Sequence, residues 1–357
     1  MTAVPAIGLS AIDKSFGSVH AVRGVSLEIA KGSITGLVGE NGAGKSTLMS
    51  ILYGLYRADS GEIRVDGTRV EMNSPRDAIA HGIGMVHQHF MLIDSFTVLE
   101  NLVLGAEGGL LLGRGMAAAR AEVMRLGRDY GLAVDPDARV ADLSVGEQQR
   151  VEILKVLLRG ARILILDEPS AVLTPQETER LFRILRVLRD RGVTVVLITH
   201  KLREVMAVTD RVFVMRQGQL VAERNTAATT PEELAELMVG RKVRLGVDHV
   251  PPQPGAALLR TAGLSLVDRR GVRLLDGIDL DVHAGEIVGI AGVSGNGQTE
   301  LLEVLAGMRA PTDGTITICG HAFDAHHPGD PAGRRALGLA HVPEDRLRQG
   351  LVAAFQA

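Results

Sequence analysis

Tryptophan is absent from this 357-residue chain, cysteine occurs once, and aromatic residues make up only 3% of it. A single cysteine, Cys319, cannot close an internal disulfide, which excludes a disulfide scaffold and fits a reducing compartment. It lies in a β-like run, Ile316–Cys319, so we expect a buried structural thiol rather than a reactive one. Neither sign of charge is in excess: 39 Lys+Arg against 42 Asp+Glu leave a net charge of −3. That balance lacks the electrostatic footprint of a nucleic-acid binder or of a protein held on an anionic membrane surface. Long apolar runs are missing too. Val193–Ile198 is strand-sized and far below a membrane span. The start, MTAVPAIGLSAIDKSF, shows no basic residues followed by an apolar stretch, so no signal peptide is expected. These absences describe a cytosolic protein whose membrane work, if any, is done through partners.

What the chain has in abundance is glycine, 42 residues, and the glycine spacing exposes a repeat. Gly24, Gly32, Gly39, Gly42, Gly44, Gly54, Gly61 and Gly67 recur as Gly277, Gly285, Gly292, Gly295, Gly297, Gly307, Gly314 and Gly320, each 253 positions on. Ungapped self-similarity of this kind marks a tandem duplication. We read residues 1–240 as a complete first copy. Residues 241–258 read as a linker carrying Pro251, Pro252, Pro254 and Gly255, and residues 259–357 as a partial second copy. Roughly 150 residues of the first copy have no counterpart in the second, so the sequence is expected to be a fragment of a longer chain.

The first copy alternates short strands with helices, the pattern of an α/β domain. Val25–Ile29 and Ile34–Val38 read as strands. Ile163–Leu166 and Val193–Ile198 are unbroken apolar runs, as expected of central parallel strands covered on both faces. Helical spacing dominates between Thr97 and Gly160. Gln176–Arg191 is an amphipathic helix with Leu181, Ile184, Leu185 and Leu188 on one face. Its Arg180, Arg183, Arg186 and Arg189 are read as a solvated face, since the net charge is negative.

Two stretches carry chemistry. Gly39-Glu40-Asn41-Gly42-Ala43-Gly44-Lys45-Ser46 fits GxxxxGK[ST] between an apolar strand and a helix. Its glycines let backbone N–H groups turn inward onto phosphate oxygens, and the helix N-terminus adds partial positive charge. Lys45 would reach the β- and γ-phosphates and the Ser46 hydroxyl would ligate Mg²⁺, with Thr47 closing the loop. The second stretch, Ile163-Leu164-Ile165-Leu166-Asp167-Glu168, is a strand ending in two carboxylates. Asp167 can lie beside the metal held by Ser46, and Glu168 where an attacking water needs a general base.

Between them lies Leu143-Ser144-Val145-Gly146-Glu147-Gln148, and here the chain resembles the ABC ATPases, whose signature is LSGGQ. Ser144 and Gly146 match it; Val145 and Glu147 depart from it. The resemblance implies a P-loop fold with a mixed core sheet, an N-terminal antiparallel β subdomain and a helical subdomain, tandemly repeated. It implies ATP and Mg²⁺ as ligands, and Ser144 and Gly146 capping the γ-phosphate of ATP held by a second nucleotide-binding domain. It places Gln88 on the metal and the water, His200 on the γ-phosphate and Phe16 on adenine. Ser170–Thr174 becomes the loop joining two domains, with Thr174 where many members carry Asp.

Fused tandem domains resemble bacterial sugar and nucleoside importers. His87–Leu92, Phe96–Asn101 and Val151–Lys155 lean toward the nucleoside, basic membrane lipoprotein-linked branch. That implies transmembrane permease subunits and an extracytoplasmic solute-binding lipoprotein as partners, no nucleic acid, and a peripheral place on the cytoplasmic face of the membrane. The alternative is a soluble tandem ABC ATPase acting on the ribosome or DNA, against which the short Pro-rich linker and Gln298 count. In the second copy Gln298 stands where Lys45 does, and a neutral amide cannot replace that charge. Glu344 stands opposite Gln88, and no aromatic stands opposite Phe16. The second copy is expected to bind nucleotide weakly or without turnover.

Overall fold

The computed structural model describes residues 4–88, 90–104, 112–242, 253–293, 295–343 and 350. Residues 243–252, inside the linker read from the prolines, and Glu344 lie outside the described residues. The chain forms two compact units, Met1–Gly246 and Val247–Ala357.

The first unit opens with β1 (Ile7–Phe16) and β2 (Val19–Ile29), an antiparallel hairpin, followed by β3 (Ile34–Val38) and α1 (Lys45–Leu52). Then come β4 (Ser60–Val65), β5 (Thr68–Val70), α2 (Pro75–Ala80) and β6 (Ile83–Val86). Three helices follow: α3 (Val98–Val103), α4 (Leu112–Tyr130) and α5 (Val145–Leu158). The remainder is β7 (Ile163–Asp167), α6 (Pro175–Asp190), β8 (Thr194–Ile198), α7 (Leu202–Val208), β9 (Arg211–Arg216), β10 (Gln219–Asn225) and α8 (Pro231–Val239).

Two sheets result. One is antiparallel, in the order β2-β1-β4-β5; the other is mixed, in the order β10-β9-β3-β8-β7-β6, with only the β9–β10 pair antiparallel. Strands buried on both faces are apolar at most positions. Accordingly β3, β7 and β8 are buried throughout. Their side chains alternate between two cores. Ile163, Ile165, Val196 and Ile198 join the antiparallel sheet and α1, whereas Leu164, Leu166, Val195 and Leu197 meet α5 and α6. On α6 the four leucine and isoleucine positions read from the spacing are all buried, and Arg180, Arg183 and Arg186 are exposed.

The second unit contains β11 (Ala257–Val267), β12 (Arg273–His283), α9 (Gln298–Leu305), β13 (Asp313–Ile318), β14 (His321–Phe323) and α10 (Pro331–Ala336). Its antiparallel sheet, β12-β11-β13-β14, repeats the first unit's β2-β1-β4-β5. The repeat extends to the backbone: Gly42 and Gly295 have φ of 81° and 85°, Gly44 and Gly297 have 95° and 93°.

One expectation is overturned. Cys319 is exposed. The strand ends at Ile318, and Cys319 enters the β13–β14 turn with φ +48°. It is the repeat partner of Asp66, which holds φ +52° in the β4–β5 turn. A turn residue in the left-handed region points away from the sheet's core, so this thiol faces solvent.

Candidate functional site

The site grows from the loop between β3 and α1. Gly44 has a left-handed backbone and serves as the N-cap of α1. A Cβ there would collide with the Ala21 carbonyl of β2, and one at Gly39 would collide with the Met215 carbonyl of β9. The loop is thus pressed between two strands that only glycine lets approach. Gly42, φ +81°, and Asn41 form its exposed crest, and Thr47 is half-buried in the first helical turn.

Lys45 is 6% exposed and curls back over the loop, donating to the carbonyls of Gly39 at 2.8 Å and Glu40 at 2.9 Å. Burial pushes its ammonium below its usual range, and the nearby carboxylates of Glu168 and Asp167 oppose that. A buried ammonium bonded only to neutral carbonyls has capacity left for phosphate anions.

Parallel pairing of β3 with β8, and of β8 with β7, carries the end of β7 to this loop. Ser46 Oγ donates to Asp167 Oδ1 at 3.2 Å. Burial raises the pKa of Asp167, Ser46 pulls it back down, and the Glu168 charge raises it further. Two hard oxygens at this spacing, beside a phosphate-sized cradle, suit Mg²⁺, which keeps water and phosphate oxygens in most of its shell.

Glu168 follows with φ +47°, a conformation an L-residue holds only when its surroundings enforce it. Here its N–H bonds the Ile198 carbonyl at 2.9 Å. Its carboxylate lies 2.9 Å from His200 Nδ1 and accepts from Gln88 Nε2 at 3.5 Å. A half-buried carboxylate flanked by an imidazole and an amide can take a proton from water.

Lys45, Ser46, Gln88, Asp167, Glu168 and His200 therefore converge. Phe16 and the pair Ser144 and Gly146 make their contacts elsewhere. Phe16 is 42% exposed near the β1–β2 turn, edge-on to Tyr56 with ring centroids 5.1 Å apart. Ser144 caps α5, its hydroxyl donating to Glu147 at 2.9 Å in a capping box. Gly146 is pinned by Glu177, whose Oε1 would lie 2.6 Å from a Cβ there. The other Glu177 oxygen closes the box of α6 with Thr174. The [ST]-x-x-E spacing of Ser144/Glu147, Thr174/Glu177 and Thr97/Glu100 signals these caps in the sequence, yet the contact between Glu177 and Gly146 leaves no such trace.

The three branch-marking stretches also meet. Met91 N–H donates to Glu152 at 2.7 Å, Lys155 donates to the Met91 carbonyl at 3.0 Å, and Asn101 brackets Ile93.

A phosphate loop at the end of a parallel strand, with a metal-side aspartate and a strained glutamate at the next-but-one strand end, defines a P-loop ATPase cassette. A family profile described as ABC transporter matches residues 22–171 and 275–352. The chain is 47% identical over 98% of its length to the glucose import ATP-binding protein TsgD13 of Haloferax volcanii, covering 68% of that protein. It is 47% identical to the nucleoside import ATP-binding protein NupA of Lactococcus lactis, over 96% of the chain and 67% of that protein. It is 48% identical to the guanosine import ATP-binding protein NupO of Bacillus subtilis, over 96% and 67%. Among solved structures, the ATP-binding cassette MJ1267 in its ADP conformation superposes with a TM-score of 0.58 at 26% identity. It covers 66% of this chain and 99% of its own. The chain belongs to the ABC transporter family, as an ATP-binding ATPase cassette. Among the described residues no helix is long and apolar enough to cross a membrane.

Proposed function

We propose that the chain energises import of a nucleoside or simple sugar through permease subunits on other chains, from the cytoplasmic face of the membrane. An extracytoplasmic solute-binding lipoprotein delivers the solute. Residues 1–240 act as the competent cassette. The loop Gly39–Thr47 wraps the ATP phosphates, with Gly39, Asn41, Gly42 and Gly44 shaping the cradle and Lys45 on the β/γ-phosphates. Phe16 stacks on adenine. Ser46 and Asp167, with Gln88 nearby, hold Mg²⁺, which when bound neutralises charge on the phosphates. Glu168 takes the proton of the attacking water and His200 orients it and the γ-phosphate. Ser144 and Gly146 face nucleotide held by another cassette, which requires Glu147 and Glu177 to share or release those donors. Residues 259–357 form a cassette portion that binds nucleotide weakly.

The observation that carries this is the convergence of Ser46, Asp167, Glu168 and His200 at one end of the mixed sheet. Import rather than other ATP-driven work is supported by the relatives, which are named nucleoside and guanosine import ATP-binding proteins. Proteoliposomes holding the chain and its permeases should accumulate labelled nucleoside or pentose only with Mg-ATP on the chain's side. ATP hydrolysis that continues with no uptake of either solute class would sink the importer reading.

A further inference from the structure

Behind the Glu168–His200 pair, three donors converge on one buried carboxylate. Glu204, in the first turn of α7, is 6% exposed. One oxygen accepts from the Ser170 hydroxyl and the other from Thr199 Oγ1 at 3.2 Å. Lys201 Nζ lies 3.4 Å from the first oxygen and also donates to the Ser170 carbonyl at 2.8 Å. The Lys201 backbone N–H closes the ring onto Thr199 Oγ1 at 3.0 Å.

The positions of these hydroxyls matter. Ser170 comes two residues after Glu168, and Thr199 immediately before His200. Parallel pairing between β7 and β8 runs out at Asp167 and Ile198. Past that point both segments leave the strands as loops, and the Glu204 carboxylate ties Ser170 of one to Thr199 of the other. Glu168 sits in a left-handed conformation that relaxes unless its surroundings over-determine it. A carboxylate suits the task because its two oxygens can accept from two separate hydroxyls at once. The oxygens are engaged by Ser170, Thr199 and Lys201, so Glu204 acts on the site through these segments.

We propose that Glu204 is a positioning residue for ATP hydrolysis: it clamps the segment leaving β7 to the segment leaving β8 and so fixes the spacing of Glu168 and His200. The inference rests on the reading of those two residues given above. It is tested by comparing Glu204→Ala and Glu204→Gln in the chain assembled with its permeases, measuring turnover against ATP concentration. The Ala variant should lose roughly tenfold or more in kcat, because misplacing a reacting group by an ångström is costly. Its KM should move less than about twofold, since Lys45, Ser46 and the phosphate loop are untouched. The Gln variant should keep most activity: its amide oxygen accepts from one hydroxyl while its NH₂ donates to the other.

Because an Ala at a buried, charge-paired site can fail to fold, Thr199→Val is assayed alongside. It removes one arm and leaves the carboxylate on Ser170 and Lys201, and kcat should fall about threefold or more at a temperature where melting curves show the variant fully folded. Wild-type kcat in the folded Ala or Val variants would overturn the proposal. So would a Gln variant no better than Ala, or losses of ATP affinity that match those of kcat. Glu168→Gln in the same assay separates the two levels. Unchanged turnover there removes the functional reading itself, whereas its loss beside unaffected Glu204 and Thr199 variants removes only the clamp.

Discussion

The two copies of the phosphate loop share their backbone at Gly42/Gly295 and Gly44/Gly297 and differ sharply in what surrounds them. In the first, Lys45 is buried and bonded to the loop's own carbonyls. In the second, Gln298 is half-buried and donates to the Val293 carbonyl, folding so close that a Cβ at Gly292 would collide with its amide. The strand beneath differs more. Ile34 and Val38 are 0% exposed between β8 and β9, whereas their repeat partner segment, 287–291, is in no strand and Ile287 is 100% exposed. The glycines set the loop's shape in both copies. Charge and flanking strands turn that shape into a site, and among the described residues it is the first copy's loop that meets an acidic pair, Asp167 and Glu168, delivered by β7.

The sharpest way to break the comparison is to remove from the first copy what the second copy's described part has no counterpart for. Glu168→Gln keeps size and hydrogen bonding but removes the proton acceptor. Turnover of the assembled transporter should fall about a thousandfold with Mg-ATP still bound, which single-turnover quench measurements resolve. Next in size is Lys45→Gln, which rewrites the first loop in the second copy's letters. Loss of one charged partner on the phosphates should cost about 3 kcal/mol, some hundredfold in ATP affinity by titration calorimetry. Affinity within a few-fold of wild type would mean that the loop's backbone donors alone suffice, and Gln298 would cease to explain anything.

How much of this was legible follows from how local each cause is. The strands β3, β7 and β8 and the buried face of α6 read straight from apolar spacing, because full burial admits few polar residues there beyond Thr35, Thr194 and the terminal Asp167. Lys45, Ser46, Asp167 and Glu168 also read out, since chemistry restricts residue type at a fixed distance from a strand end. His200, Gln88 and Phe16 needed a family resemblance. Glu204 and the Glu177–Gly146 contact were illegible: each joins segments tens of residues apart through side chains that look like ordinary surface carboxylates. Cys319 was misread for a related reason. The expectation of burial took Cys319 for one more apolar strand residue, whereas alternation after buried Ile316 and Ile318 already puts it on the outer face, and the turn geometry shared with Asp66 ends the strand before it.

A third, smaller effect concerns protons and the metal side of the first copy's site. Burial holds the Asp167 carboxyl above its ordinary 3.8. In the window between that value and the shifted one, the folded chain binds more protons than the unfolded chain. This group's contribution to stability therefore falls as pH rises through the window. Mg²⁺ needs the carboxylate, so metal-dependent ATP binding must rise over the same window. Other carboxylates, Asp59, Asp77 and Glu177 among them, are held below their ordinary values and slope stability the opposite way, so the test is the difference between wild type and Asp167→Asn. As pH rises through the window, the melting temperature of the ligand-free wild type should fall relative to that of the Asn variant, while its Mg-ATP affinity should rise relative to that variant's. A difference that stays constant across the window would remove Asp167 as the titrating metal ligand.

The smallest effect tests whether the copies are equivalent where no chemistry is at stake. Asp66-Gly67 and Cys319-Gly320 turn two hairpins with matching backbones, φ of 52° and 82° against 48° and 85°. Both residues of each turn have positive φ, as in the two-residue hairpins that favour Asp-Gly. Aspartate tolerates that region because its short polar side chain bonds locally, and cysteine has no such compensation. Cys319→Asp should therefore stabilise by about 0.5 kcal/mol or less, and Asp66→Cys should destabilise by a similar amount, each read from denaturant midpoints at unchanged slope. The exposed thiol should react with a thiol reagent in the native wild-type chain without denaturant. If the two substitutions shift stability in the same direction, the turns are not interchangeable, and the repeat stops short of the hairpin tips.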